Sequence, residues 1–260
     1  MLFALIQMNV EEKNYQGNCQ HGLELLHSVC DAADIAILPE VWTTGYSLGA
    51  LKKEAEEEGS ELLGQVAAIA KAKNMGIVAG SVPFRRKDNK VYNTTFVFDK
   101  TGEIIAEYDK IHMFSLYNEE KYFKAGSKRA RFQFAGMSAG LSICYDVRFP
   151  ELYRAMALQG VQLVFMPCEW PEVRGDAYRL LTQARAVESQ IYMCAVNCVG
   201  KFRDDRFYGH SMLVSPTGEI IVEGGREEST LYAEIDIEVV EQVRSTMSVL
   251  KDVREELYKA

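Results

Sequence analysis

Residues 35–38 (Ile-Ala-Ile-Leu) are apolar at every position and stop at Pro39-Glu40. A strand with one wet face alternates polar and apolar side chains, so an unbroken apolar run this short reads as a strand covered on both faces. Residues 76–83 and 161–166 read as buried strands of the same kind. Segments of helical spacing fall between such runs. Residues 18–33 carry Leu23, Leu26, Val29 and Cys30 at that spacing, and residues 60–73 open with Ser60, a good capping residue. Strands buried on both faces need helices outside them, so the chain is α/β. With 260 residues, 48% of them hydrophobic and 25% charged, it can fill a large core, and no Pro/Gly/Ser-rich linker divides it. Residues 1–260 read as a single domain.

The remaining pattern adds antiparallel pairs. Residues 2–10 open as a strand, and 91–98 with 103–108 form a hairpin around Asp99-Lys100-Thr101-Gly102. Residues 131–134 and 137–143 read as strands, 151–159 and 176–190 as helices, and 191–199 as a strand. A second hairpin spans 210–214 and 220–223, followed by a strand at 231–235 and a tail of alternating helical and extended character. Thr101-Gly102-Glu103-Ile104-Ile105-Ala106-Glu107 matches Thr217-Gly218-Glu219-Ile220-Ile221-Val222-Glu223 at six of seven positions. Shared turn chemistry accounts for the match, and so do two similar half-sheets. Mixed sheets with helices outside satisfy the whole pattern.

The formal net charge of -8 argues against nucleic acid, whose phosphates need clustered cations, and the one tight cluster, Arg85-Arg86-Lys87, falls in a hairpin turn. No segment reaches the roughly 18 apolar residues of a membrane span, and residues 1–10 carry no basic leader. Six cysteines without a C-x-x-C pair fit reduced thiols, and the expected location is the cytoplasm. Cys194, Cys198 and His210 lack metal-site spacing, so no metal is expected.

Residues 141–150, Leu-Ser-Ile-Cys-Tyr-Asp-Val-Arg-Phe-Pro, set Cys144 between a strand-like run and a helix start at Pro150. A nucleophile on such an elbow stands clear of its own backbone, and the amide of Tyr145 can face a developing oxyanion. An ordinary buried thiol fits the same stretch. Attack on an amide also requires a base, oxyanion donors and an acid for the leaving amine. The base can be a histidine or a carboxylate. His21 and His27 lie on a surface helix, which leaves His112 and His210; among carboxylates, Glu40 follows an apolar strand and precedes Trp42 and Tyr46. A glutamate of pKa about 4.3 taking a proton from a thiol near 8.5 works uphill by about four units, roughly 5 to 6 kcal/mol. Burial must raise the first and a cation lower the second. Lys110, directly after the strand 103–108, is the best-placed cation, with a solvated loop lysine as the plain alternative.

Three motifs stand in order along the chain: Leu38-Pro39-Glu40 with Gly45-Tyr46; Tyr108-Asp109-Lys110-Ile111-His112 with Glu119 and Tyr122-Phe123-Lys124-Ala125-Gly126; and Cys144-Tyr145-Asp146-Val147-Arg148-Phe149-Pro150-Glu151. Together they resemble the nitrilase (carbon-nitrogen hydrolase) superfamily. Further similarities run through Asn197, Gly209-His210-Ser211 and Gly224-Gly225-Arg226, so the resemblance covers essentially the whole chain. It implies a four-layer αββα sandwich of two mixed β-sheets flanked by helices, dimerised through helices beside the site and an exchanged carboxyl-terminal tail. It implies Glu40 as general base and later acid, Lys110 as oxyanion cation, Cys144 as acylated nucleophile and Tyr145 as backbone N–H donor. The second glutamate falls at Glu119, with Glu120 one residue away. No cofactor is implied.

The short His112-Met113-Phe114 loop, Glu169-Trp170-Pro171 and Tyr145-Asp146 after the nucleophile most resemble the omega-amidase branch. The implied substrate is the omega-amide of a small dicarboxylic (2-oxo) acid. Its free carboxylate needs a cation, because an unpaired charge in a water-poor pocket costs several kcal/mol. Arg174 is the candidate, with Tyr46 and Trp170 as walls; Arg148 is the alternative anchor and also reads as a structural ion-pair partner. Competing functions are an N-carbamoyl amide hydrolase, a silent binding protein on the same fold and a redox-sensing thiol. The last would want a resolving cysteine, and Cys144 has none nearby in sequence.

Overall fold

The computed structural model describes residues 1–202 and 205–258. In chain order β1 (Leu2–Gln7), β2 (Asn9–Glu11), α1 (Tyr15–Ser28), β3 (Ile35–Ile37), α2 (Leu48–Lys53), α3 (Glu61–Lys73), β4 (Gly76–Val78), β5 (Val82–Arg85), β6 (Val91–Phe98) and β7 (Ile104–Asp109) form the first half. β8 (Ala130–Phe134), β9 (Met137–Leu141), α4 (Pro150–Leu158), β10 (Leu163–Cys168), α5 (Gly175–Ser189), β11 (Tyr192–Asn197), β12 (Val199–Phe202), β13 (Asp205–Arg206), β14 (Met212–Val214), β15 (Ile220–Glu223), β16 (Ser229–Glu234) and α6 (Glu238–Thr246) follow.

Two mixed sheets result. The first runs β16-β1-β3-β4-β6-β5 with β7 also on β6, and the second runs β15-β14-β11-β10-β9-β8. Each has three parallel strands at its centre, β1-β3-β4 and β9-β10-β11. The apolar runs are explained by alternation between two cores. Phe3, Leu5, Ile35, Ile37 and Val78 pack toward the second sheet, where Phe3 stacks on Phe165 at 6.0 Å. Ala4, Ile6, Ala36, Leu38 and Ile77 pack the other way, onto Leu26 of α1 and Val66 of α3. Leu152, Tyr153 and Met156 of α4 and Tyr178 of α5 cover the second sheet. The layers are α, β, β, α, as expected.

Both edge hairpins use one turn design. Asp99 Oδ1 accepts the backbone N–H groups of Thr101 and Glu103, Ser215 Oγ accepts those of Thr217 and Glu219, and Gly102 and Gly218 sit at φ 86° and 87°. The repeated heptad thus marks turn chemistry and corresponding edge strands, β7 and β15, of two sheets.

Several boundaries differ from the sequence reading. Helix α1 spans Tyr15–Ser28 rather than 18–33, because the Asn14 side chain caps Gly17 and Val29 leaves the helix at ψ 138°. The run 76–83 is two strands, interrupted at Gly80 (φ 56°), where a Cβ would stand 2.0 Å from Pro39 O. Residues 191–199 also divide: β11 ends at Asn197, and β12 joins β2 and β13 in a small third sheet.

Candidate active site

The chemistry gathers where parallel strands end. Glu40 follows β3, Cys144 follows β9, Glu169 follows β10, and Lys110 comes directly after β7. Carboxyl ends of parallel strands are the usual ligand-binding edge of such sheets. Two tight turns aim the side chains: Val41 at φ 37° and Cys144 at φ 43° hold a conformation costly for side-chain-bearing residues. The interruption at Gly80 braces the first turn, since Ser81 N–H donates to Pro39 O (3.0 Å) and Val41 N–H to Ser81 Oγ (2.9 Å). Asp146 braces the second, accepting Ile143 N–H (2.9 Å), His112 N–H (3.1 Å) and the Tyr108 hydroxyl (2.7 Å).

Lys110 is fully buried and donates to Glu40 Oε1 (2.8 Å) and to both oxygens of Glu119 (2.8 and 3.0 Å). Burial works against its charge, but Glu119 and Glu40 outweigh it and hold the ammonium well above the usual lysine range. Glu119 is buried and also accepts Phe114 N–H (2.6 Å), while Glu120 is exposed. Tyr46, placed by sequence as a wall, is more than that: its hydroxyl donates to Glu40 Oε1 at 2.8 Å. Asn93 Nδ2 donates to the same oxygen at 2.9 Å, and Glu169 N–H donates to Glu40 Oε2 at 2.9 Å. These donors fix the Glu40 carboxylate from both sides.

Lys110 acts on the Cys144 thiol in the expected direction, lowering it, but it does not prevail in the resting site: burial, contact with the Cys168 thiol and the charge of Glu40 push the thiol well above the ordinary value. Cys168 also supplies, in space, the neighbouring thiol that Cys144 lacks in sequence. Neither histidine lines the cleft. His112 Nδ1 pairs with Asp146 (2.7 Å) beneath Phe149, and His210 Nδ1 pairs with Glu223 (3.0 Å). Cys194 and Cys198 point into different cores and do not converge with His210.

The cleft is lined by Tyr46, Lys110, Cys144, Glu169, Trp170 and both arginines, Arg148 and Arg174. Tyr145 lines it too, and a backbone N–H in the first turn of a helical segment has no partner within that segment. Trp170 is fixed by its own N–H on Asn197 Oδ1 (2.7 Å) and its ring N–H on Arg174 O (2.8 Å). Arg148 lies 5.0 Å over the Trp170 ring, and Arg174 lies 5.7 Å over Phe114. Neither forms an ion pair among the described residues, so Arg148 is not the ion-pair partner expected. Sequence reasoning also missed Asn93, which stands with Thr94 and Thr95 in the middle of the strand Val91–Phe98, every residue of which is buried. Glu169 entered the sequence reading only through the Glu169-Trp170-Pro171 resemblance, with no role in the site.

A two-sheet sandwich with a buried glutamate, lysine and cysteine at its strand ends has the form of a hydrolase of carbon-nitrogen bonds. Residues 2–245 match the carbon-nitrogen hydrolase family, and the chain belongs to it. It is 43% identical over 226 residues to the 2-oxoglutaramate amidase of Bacillus subtilis (strain 168), covering 87% of each. It is 31% identical to omega-amidase NIT2 of Mus musculus over 98% of this chain and 95% of that protein. Among solved structures it is similar to a Glu-to-Gln mutant of the amidase from Nesterenkonia sp. AN1, with TM-score 0.88, 26% identity and coverage of 99% and 98%. That structure shows the result of Michael addition of acrylamide at the active-site cysteine.

Proposed function

We propose that the chain is a cysteine amidase that hydrolyses the omega-amide of a small dicarboxylic 2-oxo acid to the acid and ammonia. One observation carries the reading: Cys144 and Lys110, with Glu40 bonded to Lys110 and Tyr46 of the cleft wall, share a narrow cleft with two arginines that have no carboxylate partner among the described residues. A substrate with an amide at one end and a carboxylate at the other matches both ends of that cleft. The names of the relatives in Bacillus subtilis and mouse support the same class.

Glu40 takes the thiol proton as Cys144 attacks the amide carbon, and Lys110 with Tyr145 N–H holds the oxyanion. Glu40 returns the proton to the nitrogen, the carbon-nitrogen bond breaks, ammonia leaves and a thioester remains on Cys144. Water deprotonated by Glu40 then attacks the thioester, the carbon-sulfur bond breaks as the acid leaves, and Glu40 returns the proton to the Cys144 sulfur. Glu119 and Tyr46 position Lys110 and Glu40. Arg174 holds the remote carboxylate, with Arg148 beside it and Trp170 between. The reading places the whole chain, as one domain, in the cytoplasm as a homodimer. Its support is the six free cysteines and the exposed Leu180 and Val187 on the outer face of α5. No helix among the described residues is long and apolar enough to cross a membrane.

The test is ammonia release from amides, carbamoyl compounds and nitriles of matched length, with intact-mass detection of the acyl adduct. Preference for carboxylate-bearing amides is expected. Preference for neutral amides or carbamoyl compounds rejects the substrate class.

A further inference from the structure

Glu169 is the one cleft carboxyl that the mechanism leaves idle. It is 2% exposed, lines the cleft beside Lys110 and Cys144, and among the described residues no side chain donates to either carboxyl oxygen, the Tyr46 backbone amide alone acting on it. A buried carboxyl with at most one donor for two oxygens is costly, so one facing a substrate cleft is a candidate contact for the ligand itself. The backbone N–H of Glu169 is already used, on Glu40 Oε2.

Its protonation state follows from counting charges. Glu40 and Glu119 share the single buried ammonium of Lys110, at 2.8 Å each, and Glu169 has no such contact. Three carboxylates around one cation do not all ionise out of water, and the proton rests on the one that gains least from ionising. Burial is the largest influence holding Glu169 well above the carboxylate range, followed by the charge of Glu40. The Tyr46 backbone amide and Lys110 act the other way and do not prevail, and Glu119 adds to the rise. Tyr117 and Cys198 face it as neutral groups, since burial raises both.

We propose that Glu169 is a substrate-recognition residue whose carboxyl O–H donates a hydrogen bond to the 2-oxo oxygen of the substrate. The proposal rests on the amidase reading above. In an omega-amide of a 2-oxo acid the amide oxygen is taken by Lys110 and Tyr145 N–H, and the carboxylate by arginine. The 2-oxo oxygen is the remaining acceptor, it is uncharged, and a neutral carboxyl is the donor such an oxygen needs. An ionised carboxylate at 169 would instead repel both the carbonyl dipole and the neighbouring carboxylate.

The experiment compares two amides of equal length, one bearing the 2-oxo group and one with methylene in its place, in wild type, Glu169→Gln and Glu169→Leu. The wild type should prefer the 2-oxo amide in kcat/KM by about three- to tenfold, the size of one net hydrogen bond. Glu169→Gln retains an N–H donor and should keep most of that ratio, whereas Glu169→Leu should bring it to about one. Infrared difference spectra at neutral pH should show a protonated carboxyl band lost in Glu169→Gln and shifted when the 2-oxo amide binds to Cys144→Ala. An unchanged ratio in the leucine variant overturns the proposal, as does a missing band. If Glu169→Leu does not fold, the band and its shift decide alone. Failure of the wild type to hydrolyse either amide would instead reject the amidase reading.

Discussion

Lys110 Nζ and Glu40 Oε1 stand 2.8 Å apart with neither side chain exposed to solvent, a fully buried ion pair that also shares its cation with Glu119. Removing one partner of such a pair strands the other, which is far more costly than losing a surface contact.

Lys110→Met should therefore lower stability by about 3–5 kcal/mol and turnover by at least the hundred- to thousandfold of a lost oxyanion donor. Urea unfolding and kcat on the preferred amide measure the two losses. Near wild-type turnover would remove Lys110 from the oxyanion site.

Glu40→Gln keeps the shape of the base and should lower turnover at least a hundredfold, whereas His112→Ala and His210→Ala should keep acylation. Cys144→Ala should abolish both turnover and the acyl adduct seen by mass spectrometry. Acylation that survives Glu40→Gln but not a histidine substitution would reverse the choice of base.

The thiol prediction concerns pH. Burial, Cys168 and Glu40 favour the protonated form of Cys144, so its alkylation by a small neutral haloacetamide should still climb above pH 9. A plateau at the ordinary thiol value of about 8.5 would show that Lys110 prevails after all.

Glu169 sets a further pH dependence. Its folded pKa is raised above the unfolded value of about 4.3, so its contribution to stability is complete below that pH and is lost as pH rises above it. Glu169→Gln cannot ionise in either state and should gain on the wild type as pH rises, by at most about 1.4 kcal/mol per unit. Urea midpoints at pH 4 and pH 7 give the comparison. A constant difference would mean that Glu169 ionises as readily folded as unfolded.

Arg174→Gln should remove most of the preference for carboxylate-bearing over neutral amides, through KM more than kcat, because the arginine binds an end that does not react. The same change in Arg148 should act less if Arg174 is the anchor. A preference kept by Arg174→Gln and lost in the Arg148 variant would exchange their roles.

Much of this site is legible in the sequence because each principal residue ends or follows a strand. Glu40 stops the run 35–38, Cys144 stands before Pro150, and Lys110 follows the hairpin. What stays hidden depends on contacts between distant segments. Cys168 and Glu169 come from the strand beside that of Cys144, so neither the thiol's raised pKa nor the scarcity of donors at the Glu169 carboxyl could be read locally. Glu169 shares its stretch with Glu172 and Arg174, which are partly exposed, and its burial comes from the packing of residues 45 and 46 over it. The interruption in 76–83 did carry a local mark, Gly80, whose meaning is the close approach of Pro39.

The two sheets match in their three parallel central strands and in the turn that closes each edge hairpin, yet they divide the labour instead of repeating it. One sheet holds the proton acceptor and the cation; the other holds the nucleophile and Glu169. The seam between them is joined by Glu40 N–H on Cys168 O at 3.3 Å and by Glu169 N–H on Glu40 Oε2. Neither half is half an enzyme. A duplicated, exchanged or separately expressed half would bring an uncovered inner face and no complete site, so the smallest unit that evolution or an engineer can move intact is the pair of sheets together.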